Sequence, residues 1–208
     1  MNTFEIILTG CKASGKTSFM RKHLFDTFSE EYKPTLSVEV YPILFSTTRE
    51  KIVFTCWEIG EEIGFLDNAN GAIVFIDLDH TAEKYIQEIK ETYGNIPIVV
   101  VRSKCENAEI DANYDISAKT GFGIDNPFLF LARTLLNDPD IEFLKKSSSN
   151  DAEDSDEDLN FEELYESAKS RICATLCDMV KYAKKIHSGP VVPFLISELM
   201  PIIRDLDE

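Results

Sequence analysis

The chain is predicted to fold as an open, mostly parallel α/β sheet with flanking helices, followed by a helical C-terminal extension. Strand-like apolar runs alternate with helix-length stretches, the pattern of a sheet built from strand–helix crossovers. Two of the runs, GAIVFID at Gly71–Asp77 and IPIVVV at Ile96–Val101, are continuously apolar, as expected of parallel strands covered on both faces. Between the first strand and the first helix stands GCKASGKT at Gly10–Thr17, which is Gly-x-x-x-x-Gly-Lys-Thr, the pattern of a phosphate-binding loop.

The elements follow in order. Phe4–Leu8 is a short buried strand ended by Gly10, and Lys16–Phe25 is a helix, so the glycine-rich loop sits between strand and helix. Ser37–Ser46, SVEVYPILFS, is strand-like. Pro42 inside it cannot donate to a ladder, which assigns this strand to a sheet edge. Lys51–Trp57, Gly71–Asp77 and Ile96–Val101 supply three more strands, and Asn113–Ile116 a last short one. Thr81–Tyr93 and Asn126–Leu136 read as helices. Composition shifts after Leu144: KKSSSNDAEDSDED is polar and acidic, with six acidic residues among the eight of Asp151–Asp158. Residues 147–160 are therefore expected to be a disordered linker. Phe161, Leu164, Tyr165, Ala168, Ile172, Leu176, Met179, Val180, Ala183 and Ile186 recur at three- and four-residue steps, which predicts a helix of about seven turns before Ser188-Gly189-Pro190. The expected division is a sheet domain over 1–146, the linker over 147–160 and a helical extension over 161–208.

The net charge of −16 is shared equally, −8 in residues 1–146 and −8 in 147–208. No basic stripe is present to neutralise phosphodiester backbone or anionic lipid, so nucleic acid and membrane surfaces are not expected partners. Five cysteines, Cys11, Cys56, Cys105, Cys173 and Cys177, follow no zinc spacing and no leader sequence, and are read as reduced, packed thiols of the cytoplasm or nucleus. No apolar run reaches bilayer length, and the terminal DLDE offers no cysteine for a lipid. The histidines His23, His80 and His187 lack ligand spacing and are read as structural or solvated.

The phosphate loop carries the strongest chemical signal. Gly10 and Gly15 permit a tight backbone whose N–H groups, including those of Lys12, Ala13, Ser14 and Ser18, can face phosphate oxygens. Lys16 supplies a cation for the β- and γ-phosphates. The Thr17 hydroxyl can ligate Mg²⁺, and the helix N-terminus adds a favourable dipole.

With these residues in view, the chain resembles the small GTPases of the Ras superfamily, and among them the Ran type. KTSFMRKHL continues the loop as the family does, and EEYKPTLSVEVYPILF is similar to its first switch and following strand. NYDISAK and PFLFLARTLLNDPDIEFL resemble its final strand and helix. The likeness spans roughly 4–144, with Tyr114–Leu144 its most Ran-specific part. It implies a small G domain binding GTP or GDP with Mg²⁺. It further implies that Phe28 stacks on the base, that Thr35 closes on Mg²⁺ and the γ-phosphate, and that the Ser117-Ala118-Lys119 loop reads the guanine oxygen. Protein partners in nuclear transport or its regulation are implied in turn.

Departures from the family pattern bear on turnover. Asn-Lys-x-Asp is here Ser103-Lys104-Cys105-Glu106, which keeps a carboxylate on a longer stem and loses an amide. Such a lost or strained buried contact costs about 1–3 kcal/mol. Asp-x-x-Gly-Gln is here Glu58-Ile59-Gly60-Glu61, one residue short. Glu58 can still serve Mg²⁺ through water, and Gly60 can offer its N–H to a γ-phosphate. Glu61 stands where a glutamine orients the attacking water. Lys12 crowds the γ-phosphate and the approach of a partner's arginine. Only ten residues separate Gly60 from Gly71, and eleven separate Val101 from Asn113, so a switch helix and a crossover helix are expected to be trimmed. Slow or absent GTP hydrolysis is the expectation. Two other readings stay open. One is a nucleotide-free pseudo-GTPase acting as an interaction module or decoy. The other is an ATP-using P-loop kinase, against which stand the lack of a basic lid and the otherwise unexplained Ser117-Ala118-Lys119.

Overall fold

The structure, a computed structural model, describes residues 1–31, 39–58, 66, 68–76, 81–105 and 114–144. All of them fall within one compact unit, Met1–Lys145. The expected linker and helical extension, with Cys173, Cys177 and His187, lie outside the described residues, as does His80.

Eight elements follow one another: β1 (Asn2–Gly10), α1 (Lys16–Phe25), β2 (Glu39–Ser46), β3 (Lys51–Glu58), β4 (Gly71–Ile76), α2 (Glu83–Tyr93), β5 (Ile98–Arg102) and α3 (Asn126–Leu135). The five strands form one sheet in the order β2-β3-β1-β4-β5. β1 pairs in parallel with β3 and with β4, and β4 in parallel with β5. Only β2 runs antiparallel, as the outer arm of a hairpin with β3. Pro42 therefore sits on an edge strand, as its missing N–H requires.

Strand alternation divides the apolar side chains between two faces. On one face Ile6 and Leu8 of β1, Phe54 and Cys56 of β3, Ile73 and Phe75 of β4 and Val99 and Val101 of β5 join Phe19 of α1 and Phe128 of α3 in a single buried cluster. Phe128 is its hub. Its ring lies 5.5 Å from Phe19, 5.2 Å from Phe45, 5.8 Å from Phe54 and 5.1 Å from the His23 imidazole. His23 is thus a packing residue, with its Nδ1 3.4 Å from Asp125. The alternate residues Ile7, Val53, Ala72 and Val74 are also buried, and α2, whose Ile89 is buried, contacts β4.

The segment after α3 returns to the β2–β3 hairpin. Phe143 stacks on Phe45 at 4.2 Å, Leu144 N–H donates to Ser46 O at 2.8 Å, and Thr48 N–H donates to Glu142 O at 2.9 Å. Arg133 of α3 donates to Ile141 O at 2.9 Å, which holds the return in register.

One expected element is reduced. The strand anticipated at Asn113–Ile116 is a single parallel bridge, Arg102↔Asp115, with Asn113 outside the described residues. Two backbone bonds make it, Arg102 N–H to Tyr114 O at 3.2 Å and Ile116 N–H to Arg102 O at 2.9 Å. The chain then turns at Ser117, so no longer ladder can form. Side chains reinforce what remains: Arg102 meets the buried Asp115 carboxylate with two bonds of 2.8 Å. The crossover expected to lack its helix falls largely outside the described residues. Among the described residues no helix is long and apolar enough to cross a membrane.

Because Phe128 ties α1, α3 and the hairpin together, Phe128→Ala is expected to lower stability by about 3–5 kcal/mol. A urea midpoint within error of the parent chain would contradict this packing.

Candidate functional site

The carboxyl ends of the parallel strands β1, β3, β4 and β5 lie along one edge of the sheet, where open α/β sheets bind ligands. The phosphate-loop residues extend from β1 at that edge. Gly10 has φ +130°, and a Cβ there would fall 2.0 Å from Phe75 O, so only glycine lets the loop leave beneath β4. Cys11 N–H then donates to that same Phe75 carbonyl at 3.0 Å. Gly15, at φ +89°, caps α1 in the left-handed region. Ala13 is also left-handed, at φ +59°, which costs a residue with a Cβ about 1 kcal/mol. Lys12 and Ala13 are exposed, while Ser18 is half-buried.

Three features of this loop suit an anion. The N-terminus of α1 has no side-chain cap, so its first N–H groups remain available. The Ser14 hydroxyl is fully buried and makes no hydrogen bond. The Lys16 ammonium folds back over the loop, donating to Gly10 O at 3.2 Å and Cys11 O at 2.9 Å. Burial pushes the Lys16 pKa below the usual lysine value, against the opposing pull of Glu58 and Cys11.

Beside the loop, Thr17 Oγ1 donates to Glu58 Oε1 at 2.6 Å. Glu58 closes β3 and is 2 % exposed. A buried carboxylate beside a hydroxyl is an all-oxygen donor set, which fits Mg²⁺. Strand register brings two residues that sequence reasoning missed. Glu39 pairs directly with Glu58, and Tyr41 lies two positions along β2 on the same face. Tyr41 Oη donates to Glu39 and stands 3.5 Å from Glu58 Oε2. Burial, followed by the bond to Glu39, raises the Tyr41 pKa well above the ordinary phenol. Alternation of Glu39 and Tyr41 was visible in the sequence. The register that sets them against Glu58 was not.

Of the residues expected at the base, Ser103, Lys104 and Ser117-Ala118-Lys119 lie on neighbouring loops. Ser103 is buried, and both its N–H and its hydroxyl donate to Ile76 O, at 3.0 and 3.1 Å. The hydroxyl thus ties this loop to the end of β4 in place of the missing amide. Lys104 is exposed and left-handed at φ +65°. Cys105 N–H donates to Ile116 O at 3.1 Å, joining the Ser103 and Ser117 loops. Ser117 anchors its turn by accepting from Gly121 N–H on its carbonyl at 2.8 Å and from Thr120 N–H on its hydroxyl at 3.3 Å. Ala118 is half-buried and Lys119 exposed. Lys119 Nζ stands 3.1 Å from Glu30, a contact missed in the sequence, and this links the loop to the segment holding Phe28. Phe28 is 40 % exposed rather than tucked into the core, so its ring is open to a ligand. Cys11, Cys56 and Cys105 are buried free thiols. Thr35, Gly60, Glu61 and Glu106 lie outside the described residues.

Residues 5–106, just under half of the chain, match the family described as Roc: Ras of Complex, Roc, domain of DAPkinase. Together with the sheet, this match supports a GTP-binding small GTPase domain of the Ras superfamily. The stretch Tyr114–Leu144, on which the Ran likeness chiefly rests, lies beyond the matched span.

Since the Gly10 Cα approaches the Phe75 backbone so closely, Gly10→Ala is expected to lower the thermal midpoint sharply and to disrupt the loop. An unaltered melting curve would contradict the close approach.

Proposed function

We propose that this chain is a small GTPase domain of the Ras superfamily that binds GDP and GTP with Mg²⁺ as a slow switch. One observation carries the reading: an uncapped helix N-terminus, a buried hydroxyl without a partner at Ser14 and the folded-back Lys16 ammonium converge on one loop. Leaving a buried hydroxyl without a bond costs about 1–3 kcal/mol.

In this reading the N–H groups of residues 12–18 and the Lys16 ammonium hold the phosphates. Thr17 and Glu58, with Thr35, would hold the ion, which would supply positive charge against the phosphates. Phe28 covers one face of the base, and Ser103, Lys104, Glu106 and Ser117-Ala118-Lys119 surround its edge. The buried Ser103 bond to β4 supports a retained base loop. Gly60 offers its N–H to a γ-phosphate.

Slow hydrolysis follows from the chain's own side chains. Lys12 is exposed on the phosphate loop, and Glu61 supplies a carboxylate where water must be oriented beside an anionic phosphate. Like charge there opposes the attacking water. The narrower Ran-like role, with partners from nuclear transport, draws its support from the sequence likeness of Tyr114–Leu144 and from the acidic run at 151–158.

Calorimetric titration of nucleotide-stripped protein tests the binding. GDP and GTP are expected to bind in the micromolar range or tighter with Mg²⁺, and ATP weakly. Lys16→Ala is expected to abolish retention, and unchanged binding in that variant, or no binding by the folded parent chain, overturns the proposal. Single-turnover hydrolysis of bound GTP is expected near the detection limit and faster in Lys12→Gly. Rapid turnover by the parent chain, or a slower Lys12→Gly, would show instead that Lys12 assists the reaction.

A further inference from the structure

We infer that Arg102 and Asp115 are positioning residues for base selection, their paired bonds holding the Ser117-Ala118-Lys119 loop at the guanine oxygen. This rests on the nucleotide-binding reading above and deepens it at the base. Arg102 is the last residue of β5. On one side it pairs with Ile76 of β4, and on the other it makes the single bridge to Asp115. Arg102 Nε donates to Asp115 Oδ1 and Nη2 donates to Oδ2, both at 2.8 Å. Asp115 is buried. Two parallel bonds between planar groups fix direction as well as distance.

The turn that follows bears on Asp115 at both ends. The chain enters it from Asp115 and Ile116, and Ser117 N–H closes it by donating to Phe122 O at 2.9 Å. It leaves through Gly123, at φ +66°, where a Cβ would fall 2.5 Å from Asp115 O. The exit is continued by α3, which begins at Asn126. Single backbone bonds hold the entry, Ile116 N–H to Arg102 O at 2.9 Å and Cys105 N–H to Ile116 O at 3.1 Å. To these the Arg102 fork adds two charge-assisted bonds, each roughly twice as strong as a neutral one. Ile116 packs into the core cluster, which sets the depth of the segment, while the fork sets its register along β5. The Ser103 loop has its own attachment, the two bonds to Ile76 O. Loss of the fork therefore shifts the Ser117 loop and spares the Ser103 side of the base.

The test titrates the full, nucleotide-stripped chain with GDP and with 2-aminopurine riboside diphosphate, which lacks the O6 oxygen. The parent chain is expected to prefer GDP. Arg102→Lys keeps the charge and loses the fork. It is expected to weaken GDP about tenfold, the worth of one hydrogen bond, and the O6-free diphosphate less than about twofold. Arg102→Met combined with Asp115→Leu removes the pair without stranding a buried charge, a replacement that is often neutral for stability. This double variant is expected to lose the GDP preference to at least the same degree, with a thermal midpoint near the parent's. An unchanged preference in either variant, or an equal loss of affinity for both diphosphates, overturns the positioning role. A parent chain that binds the two diphosphates equally overturns the Ser117 loop's place in the proposed function instead, and this inference with it. A folded parent chain that binds neither overturns the nucleotide-binding reading itself.

Discussion

The site depends on the pairing of β1 with two parallel neighbours. Because β3 and β4 run beside β1 in the same direction, the loops that leave their carboxyl ends all emerge at one edge. The phosphate loop, Glu58 and the residue Ser103 that binds back to β4 are brought together by that geometry alone. The pairing is buried on both faces, with Ile6, Ile7 and Leu8 fully excluded from water. At about 25 cal/mol per Å² of apolar surface removed from water, such a strand contributes strongly to folding. The chemistry at its end is therefore carried by the most protected part of the molecule.

At the exit from β1 the backbone accepts strain. Gly10 passes beneath Phe75, Ala13 adopts a left-handed conformation despite its Cβ, and Ser14 buries a hydroxyl without a bond. Each costs stability by itself, and together they cluster where a ligand is expected. Strain of this kind persists where the surrounding structure over-determines it. Here the surrounding structure is the β1–β4 ladder on one side and the packed Phe19 and Met20 of α1 on the other.

The far edge of the sheet shows how a reduced strand is held. With only one bridge between Arg102 and Asp115, ladder bonds cannot anchor the Ser117 loop. The paired bonds of Arg102 to the Asp115 carboxylate, the Cys105–Ile116 backbone bond and the tight turn at Ser117 replace them. On the opposite side, the return of Phe143 and Leu144 covers the turn end of the β2–β3 hairpin.

By itself the sequence determined the alternation of strands and helices, the edge position of Pro42, the phosphate loop between strand and helix, and the small GTPase likeness. These are local signals. Hydrophobic period, a proline's missing N–H and the spacing of two glycines with a lysine are written in consecutive residues. The α1 bounds, Lys16–Phe25, were legible for the same reason. Only the tertiary structure decided which side chains meet. The Glu39–Tyr41–Glu58–Thr17 cluster depends on antiparallel register between strands and on the placement of a helix. The Lys119–Glu30 contact and the Ser103 bond to Ile76 each join loops far apart in the chain. The short crossover pointed to poor pairing of the last expected strand, but its reduction to a single bridge was not legible. Strand propensity describes a segment, whereas a ladder needs a partner of matching length, and the turn at Ser117 ends it first.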